Sequence, residues 1–193
     1  MEIFQEFYQM GLQHILGTQG YDHIIFVIAL CAIYQPDDWK NVLVLVTAFT
    51  VGHSITLALA IFDLVSLRPV LVEFLIPMTI FLTAFFNLFV KSDSFGVSPR
   101  NYFLAAFFGM VHGLGFANYL HEHLTDDRSI GFQLFAFNVG IEVGQAIIVG
   151  ITLAAAFLVV GIIGVSRRDW KLVISSAVAG IAAVLVIETG YLF

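Results

Sequence analysis

The sequence predicts an all-α, polytopic membrane protein, a helical bundle of about six transmembrane helices with an amphipathic helix at its N-terminus. Three observations support this class. Of the 193 residues, 60% are hydrophobic and only 11% are charged, whereas an average soluble domain is closer to half apolar and a quarter charged. The hydrophobic residues form long runs separated by short polar connectors, and several runs contain ionisable residues. We expect residues 1–193 to form a single membrane domain.

Residues 1–18 have the pattern of an amphipathic helix that lies in the membrane interface. Ile3 and Phe7 belong to an apolar helical face, whereas Glu2 and Glu6 belong to the opposite, polar face. A helix with such a pattern buries its apolar side among the lipid headgroups and acyl chains. The alternative is that this segment extends the first transmembrane helix.

Six later runs are candidates for membrane spans, because a spanning helix needs roughly 20 apolar residues. They cover approximately residues 20–35, 40–62, 68–90, 101–120, 130–161 and 170–192. Pro36, Pro69 and Pro99 lie at the edges of these runs, where a proline can begin a helix without removing a helical hydrogen bond. Gly164 separates the last two runs.

The distribution of basic residues predicts the orientation, because Lys and Arg are enriched in cytoplasmic loops. With the N-terminus outside, most basic residues fall in or near the inner loops, namely Lys40, Lys91, Arg100, Arg167, Arg168 and Lys171. Only Arg68 and Arg128 then fall outside. We therefore expect a protein of the bacterial inner membrane with both termini on the outer, periplasmic side.

Polar side chains inside the predicted spans indicate a functional site, because ionisable groups are costly in lipid. At about 1.5 Å per residue, the predicted orientation puts them in one slab, from the midplane to the outer third. Histidine and carboxylate side chains are ligands of divalent transition metals. The predicted ligands are His23, His53, His112, Asp22, Glu73 and Glu142, with His14, Asn138 and Gln145 as accessory residues.

Local spacing adds detail to this site. Asn138, Glu142 and Gln145 form one helical stripe, since they are separated by four and three residues. Asp22 is placed to accept the ring N–H of a histidine from another helix. Gly109 flanks His112 and allows close approach of a neighbouring helix. For each polar residue taken alone, the alternative is a structural hydrogen bond between helices.

Composition also restricts the partners. The net charge of -6 gives no basic surface for nucleic acid. The single cysteine, Cys31, excludes an intrachain disulfide. We expect the partners to be the lipid bilayer and a metal ion. A homo-oligomer is also plausible, because six spans are few for a transporter.

Four segments, in order along the chain, resemble the HupE/UreJ family of membrane proteins. The paired segments Gly11–His14 and Gly20–His23 are similar to its opening GxxH…GxDH pattern. Its FT-x-x-HS-x-T-L, FG-x-x-HG-x-GFA and FN-x-G-x-E-x-GQ segments correspond to Phe49–Leu57, Phe108–Ala117 and Phe137–Gln145. The last predicted span is similar to the family only in being hydrophobic.

The resemblance implies a nickel or cobalt permease that serves hydrogenase or urease, with functional positions at Asp22, His23, His53, His112 and Glu142. Two other readings use the same residues. A zinc-dependent intramembrane hydrolase would hold the metal on three histidines and keep one position open for water. A metal sensor or structural subunit would hold the ion in a closed site without transport.

Overall fold

The structure, a computed structural model, describes residues 2–90, 99–124 and 129–190. Within these residues the chain forms seven α-helices and no strand, which confirms the all-α bundle. The helices are α1 (Glu2–Leu16), α2 (Tyr21–Cys31), α3 (Trp39–Ile61), α4 (Pro69–Phe89), α5 (Pro99–His123), α6 (Ile130–Ala156) and α7 (Arg167–Gly190). Helix α6 continues as a π-helical segment, Phe157–Ile162.

Prolines and one glycine set several helix boundaries, as the sequence predicts. Pro69 and Pro99 are the first residues of α4 and α5, and Pro36 begins a 3-10 turn that leads into α3. A proline is tolerated there because the first amide groups of a helix have no partner within it. Gly164, beyond the end of α6, has a φ of 86°, a left-handed conformation that favours glycine.

Four helical segments of the described chain are long and apolar enough to cross a membrane. They are Pro36–Ile61, Pro69–Phe89, Ile130–Ile162 and Arg167–Gly190. The predicted span 20–35 contains only the 11-residue helix α2, which at about 1.5 Å per residue reaches roughly halfway across a 30 Å hydrocarbon core. Helix α5 has 25 residues and is not among these four.

The most extensive contact between two helices joins α3 to α5, and glycines lie at this contact. A Cβ atom added at Gly52 would collide with the carbonyl oxygen of Ala106, and one added at Gly109 with the carbonyl oxygen of Phe49. The two backbones therefore touch, as expected for small residues at a membrane-helix interface. This contact brings His53 of α3 close to His112 of α5.

The apolar stripe of α1 packs against α6. Phe7 and Ile15 are fully buried, and Gly11 lies so close to α6 that an added Cβ would collide with the carbonyl oxygen of Phe137. Protein rather than lipid therefore covers the centre of this stripe, because glycine lets the two backbones meet. The interfacial depth of α1 stays a prediction.

Helix α2 lies inside the bundle and contacts α4, α6 and α7. Its residues His23, Phe26, Val27 and Ala29 are buried. The N-terminal end of this short helix carries the first histidine of the predicted site. Lys91 and Arg128, two of the eight basic residues behind the orientation, lie outside the described residues. The orientation accordingly stays a prediction.

Candidate metal centre

Four histidines from four helices meet inside the bundle. They are His14 of α1, His23 of α2, His53 of α3 and His112 of α5. The ring of His23 is central, with ring centroids 4.6 Å from His14, 5.9 Å from His53 and 5.0 Å from His112. The rings of His14 and His53 are 5.8 Å apart. We refer to these four residues as the histidine cluster.

The cluster is almost closed to solvent. The exposed fractions of His23, His53 and His112 are 3%, 0% and 1%, and His14 is partly buried. Phe116 covers the ring of His14, with centroids 3.9 Å apart. Such a shell excludes water from whatever the imidazoles bind.

Several imidazole nitrogens in the cluster are buried without a hydrogen-bond partner. They are Nε2 of His14, Nε2 of His23, both ring nitrogens of His53 and Nδ1 of His112. Buried polar atoms in folded proteins almost always have a partner, and leaving one unpaired costs about 1–3 kcal/mol. A ligand that accepts a nitrogen lone pair would remove this cost for one nitrogen of each ring, and a metal ion is such a ligand.

Two overlapping groups, built from the cluster and the neighbouring Asp22, have the geometry to hold a metal ion. In the first, one ligand atom from each of His14, His23 and His53 lies within 4.8 Å of the others. In the second, the same holds for Asp22, His23 and His112. His23 belongs to both groups. Within the described residues, a divalent ion can therefore bind three of these side chains in either of two positions that share His23.

Asp22 determines which nitrogen of His23 is available. Its Oδ1 accepts hydrogen bonds from the backbone N–H of His23 at 2.8 Å and from the ring Nδ1 at 2.9 Å. The ring proton is therefore on Nδ1, and Nε2 keeps a lone pair for a metal. We expected Asp22 to orient a histidine of another helix. It binds the adjacent residue of its own helix instead.

Thr79 of α4 determines in the same way which ring nitrogen of His112 carries the proton. Its hydroxyl donates to the carbonyl oxygen of Ile76 at 2.8 Å and lies 3.0 Å from Nε2 of His112. A hydroxyl has one proton, so Nε2 must donate to Thr79 and Nδ1 keeps the lone pair. The sequence reading missed Thr79, because a threonine in a membrane helix usually bonds only its own backbone.

Replacing Thr79 by valine should weaken nickel binding by roughly tenfold, as expected for loss of a residue that orients a metal ligand. Valine has the same shape but leaves Nε2–H of His112 without an acceptor. Thr79→Ser keeps the hydroxyl and should bind nickel as the wild type does. Equilibrium dialysis of the purified proteins measures the difference. Equal affinities of the valine and serine variants would show that Thr79 does not orient His112.

The predicted stripe on α6 meets α3 in a polar seam beside the cluster. The Thr47 hydroxyl donates to Oε1 of Glu142. The Thr50 hydroxyl donates to Oε1 of Gln145 at 2.9 Å. The Ser54 hydroxyl donates to Oδ1 of Asn138 at 2.6 Å. Oε2 of Glu142 and Nε2 of Gln145 are buried without a partner. None of the three α6 residues belongs to either metal-binding group.

The structure does not bring Glu73 to the cluster. The side chain of Glu73 is exposed on α4 and belongs to neither group. Six residues separate Glu73 from Thr79, which turns it about 120° around the helix from the side that meets His112. By contrast, His14 joins the cluster, because α1 packs along α6 with its last turn near His23.

The model of the family described as HupE / UreJ protein matches residues 1–193, the whole chain. No curated protein and no solved structure matches the chain.

Proposed function

This chain belongs to the HupE/UreJ family, and on that premise we propose that it is a membrane permease for a divalent transition metal, nickel or cobalt. The observation that carries the proposal is the convergence of four histidines with unpartnered nitrogens inside a membrane bundle. A structural role would satisfy those nitrogens with protein partners. A site for a transported cation leaves them available.

The ligand chemistry supports a borderline metal. Imidazole nitrogen and carboxylate oxygen suit nickel, cobalt and zinc, whereas Cu(I) prefers sulfur. The lone thiol of Cys31 is buried and belongs to neither group. The carboxylate of Asp22 supplies one negative charge to offset that of the dication. We propose His23, His53, His112 and Asp22 as the principal site, with His14 as a further ligand.

The seam on α6 is proposed as a second polar position along the route. The Oε2 atom of Glu142 has no hydrogen-bond partner. Among the described residues of the seam, Glu142 is the only acid. A dication that leaves the cluster gains from a second negative charge. Glu73 remains a candidate for first capture, because it is exposed on α4.

A zinc-dependent hydrolase is the second candidate, since three histidines can hold Zn²⁺ with an open position for water. In that case Asp22, oriented toward His23 at 2.9 Å, would be a ligand partner rather than part of a transport route. The ion would remain bound and no metal would cross the membrane. Flux therefore separates the two functions.

We propose the inner membrane of a bacterium as the location, with both termini on the outer side. The family and the four long apolar helices make the chain an integral membrane protein. A homo-oligomer is proposed with it, since a short helix such as α2 leaves few full spans per chain.

The test is uptake of radioactive nickel or cobalt into vesicles that contain the purified protein. Wild type should accumulate the metal with time, and His53→Ala should fall to the level of empty vesicles, because it removes a fully buried ligand. His123→Ala is the matched control, since His123 is exposed and its ring bonds the carbonyl of Tyr119.

Elution profiles and melting temperatures of all three proteins must agree, so that lost flux is not lost folding. Tightly bound zinc without any uptake by the wild type would contradict the permease and support the hydrolase or a structural site. Uptake by His53→Ala at the wild-type rate would exclude His53 from the route.

A further inference from the structure

A cavity of about 690 Å³ lies beyond the end of α2. Its walls include Leu30 of α2, Tyr34 three residues beyond that helix, Leu45 of α3, Asn87 of α4, and Arg100 and Ala105 of α5. Because α2 ends at Cys31, the space that a longer helix would fill stays open. Non-helical backbone inside a membrane is tolerated where it lines a cavity, and Tyr34 is in such a segment.

The cavity lies on the same side of His23, His53 and His112. From His23 the cavity wall is reached seven residues later on α2, at Leu30, and from His53 eight residues earlier on α3, at Leu45. These separations correspond to roughly 10–12 Å along each helix. The cavity and the cluster are therefore stacked along the bundle axis.

Three phenylalanines form a layer between them, each one helical turn from a histidine. Phe26 follows His23 on α2, and Phe49 and Phe108 precede the histidines of α3 and α5. The ring centroids of Phe26 and Phe49 are 4.9 Å apart, and those of Phe26 and Phe108 are 6.2 Å apart. Phe26 also packs on His112, at 5.1 Å, and Phe108 lines the cavity. We refer to these residues as the phenylalanine layer.

A polar stripe on α4 runs past this layer. Thr79, Thr83 and Asn87 are spaced four residues apart, so they lie along one face of the helix. Thr79 lies 3.0 Å from His112, whereas Thr83 and Asn87 line the cavity. Oxygen ligands at intervals of about 6 Å offer a cation partial solvation where the phenylalanines offer none.

We propose that the cavity is the vestibule through which the metal leaves the histidine cluster, and that the phenylalanine layer is the gate between them. The proposal rests on the proposed transport function and adds a route to it. The bulk of Phe26, Phe49 and Phe108 holds the route closed, and the hydroxyl and amide groups of α4 guide the ion when the layer separates.

The vestibule must contain water, which cysteine labelling detects. In a Cys31→Ala background, Thr83→Cys puts a thiol in the cavity and Val173→Cys puts one on the apolar helix α7, where Val173 is 65% exposed. A charged, membrane-impermeant thiol reagent should modify Thr83→Cys at least about tenfold faster, because the reactive thiolate requires a polar environment. Labelling of Thr83→Cys by a lipid-soluble maleimide alone would show a lipid-filled cavity and overturn the proposal.

The gate is tested by removing bulk from the layer. Phe108→Ala should raise downhill nickel flux severalfold while nickel affinity stays at the wild-type value, because Phe108 contacts the cavity and Phe26. Phe107→Ala is the matched control, since Phe107 is half exposed and should leave flux unchanged. Dialysis and vesicle flux are measured on the same preparations, whose melting temperatures show that the variants fold.

The outcomes separate this inference from the function beneath it. Normal binding with flux of Phe108→Ala no higher than the wild type would overturn the gate and leave the permease standing. If the wild type neither bound nor transported nickel, the proposed permease function itself would be contradicted. A rise in Phe107→Ala equal to that in Phe108→Ala would assign the effect to general loosening of α5 and overturn the gate.

Discussion

His23→Ala is expected to lower nickel affinity by more than about 100-fold, beyond the 10- to 100-fold typical of residues that only orient a ligand. The reason is the central position of His23. It belongs to both metal-binding groups, and its ring lies within 5.9 Å of the three other histidine rings. Removing it leaves neither group complete. Isothermal titration of the purified protein with nickel measures the change.

His14→Ala provides the comparison within the cluster. It removes one group but leaves Asp22, His23 and His112 together, so its loss of affinity should be smaller than that of His23→Ala. The two variants differ in ligand position and not in chemistry. If His23→Ala bound nickel like the wild type, the histidine cluster would not be the metal site.

Gly109→Ala should lower the free energy of unfolding by about 1–3 kcal/mol, the range measured for overpacked positions. The added methyl group would collide with the carbonyl oxygen of Phe49 and meet the backbone nitrogen of His53 at 3.0 Å. Backbone atoms cannot swing aside as a side chain can, so α3 and α5 must separate. That movement displaces His53 from His112, and nickel affinity should fall together with stability.

Gly150→Ala is the matched control for this substitution. Gly150 is also in a long apolar helix, but an added Cβ there has no atom within 4 Å. Its stability should be unchanged or higher by up to about 1 kcal/mol, because alanine favours a helix over glycine. Thermal unfolding in detergent compares the two variants. Equal melting temperatures would show that the α3–α5 contact does not depend on a missing side chain.

The length of α2 shows where reading the sequence reached its limit. The apolar run continues through Ala32 and Ile33, and the next helix-breaking residue is Pro36. Nothing local marks the end of the helix at Cys31, since the usual signals are glycine, asparagine or proline. The structure ends it there, and Tyr34, three residues later, is buried. A span predicted for residues 20–35 became a half-length helix beside a cavity.

The site residues show a second limit. His23, His53 and His112 could be proposed as ligands because an imidazole in an apolar run is unusual. Thr79 carries no such signal, since threonine is common in membrane helices and satisfies its own backbone. Glu73 and Glu142 are both acids within an apolar run, yet only Glu142 lies in a polar seam. Rotation about a helix axis separates the two cases, and it follows from packing partners that a single helix does not specify.

Composition and the length of apolar runs by themselves determined an all-α membrane bundle, its helix-starting prolines and the residue types of a metal site. These properties are local, because hydropathy and helix capping depend on neighbours in the chain. Only the tertiary structure decided that His14, His23, His53 and His112 meet, and that a phenylalanine layer separates them from a cavity. The convergence of the histidines depends on which helix faces touch. Glycines such as Gly52 and Gly109 permit a close contact, but they do not specify which helix will be the partner.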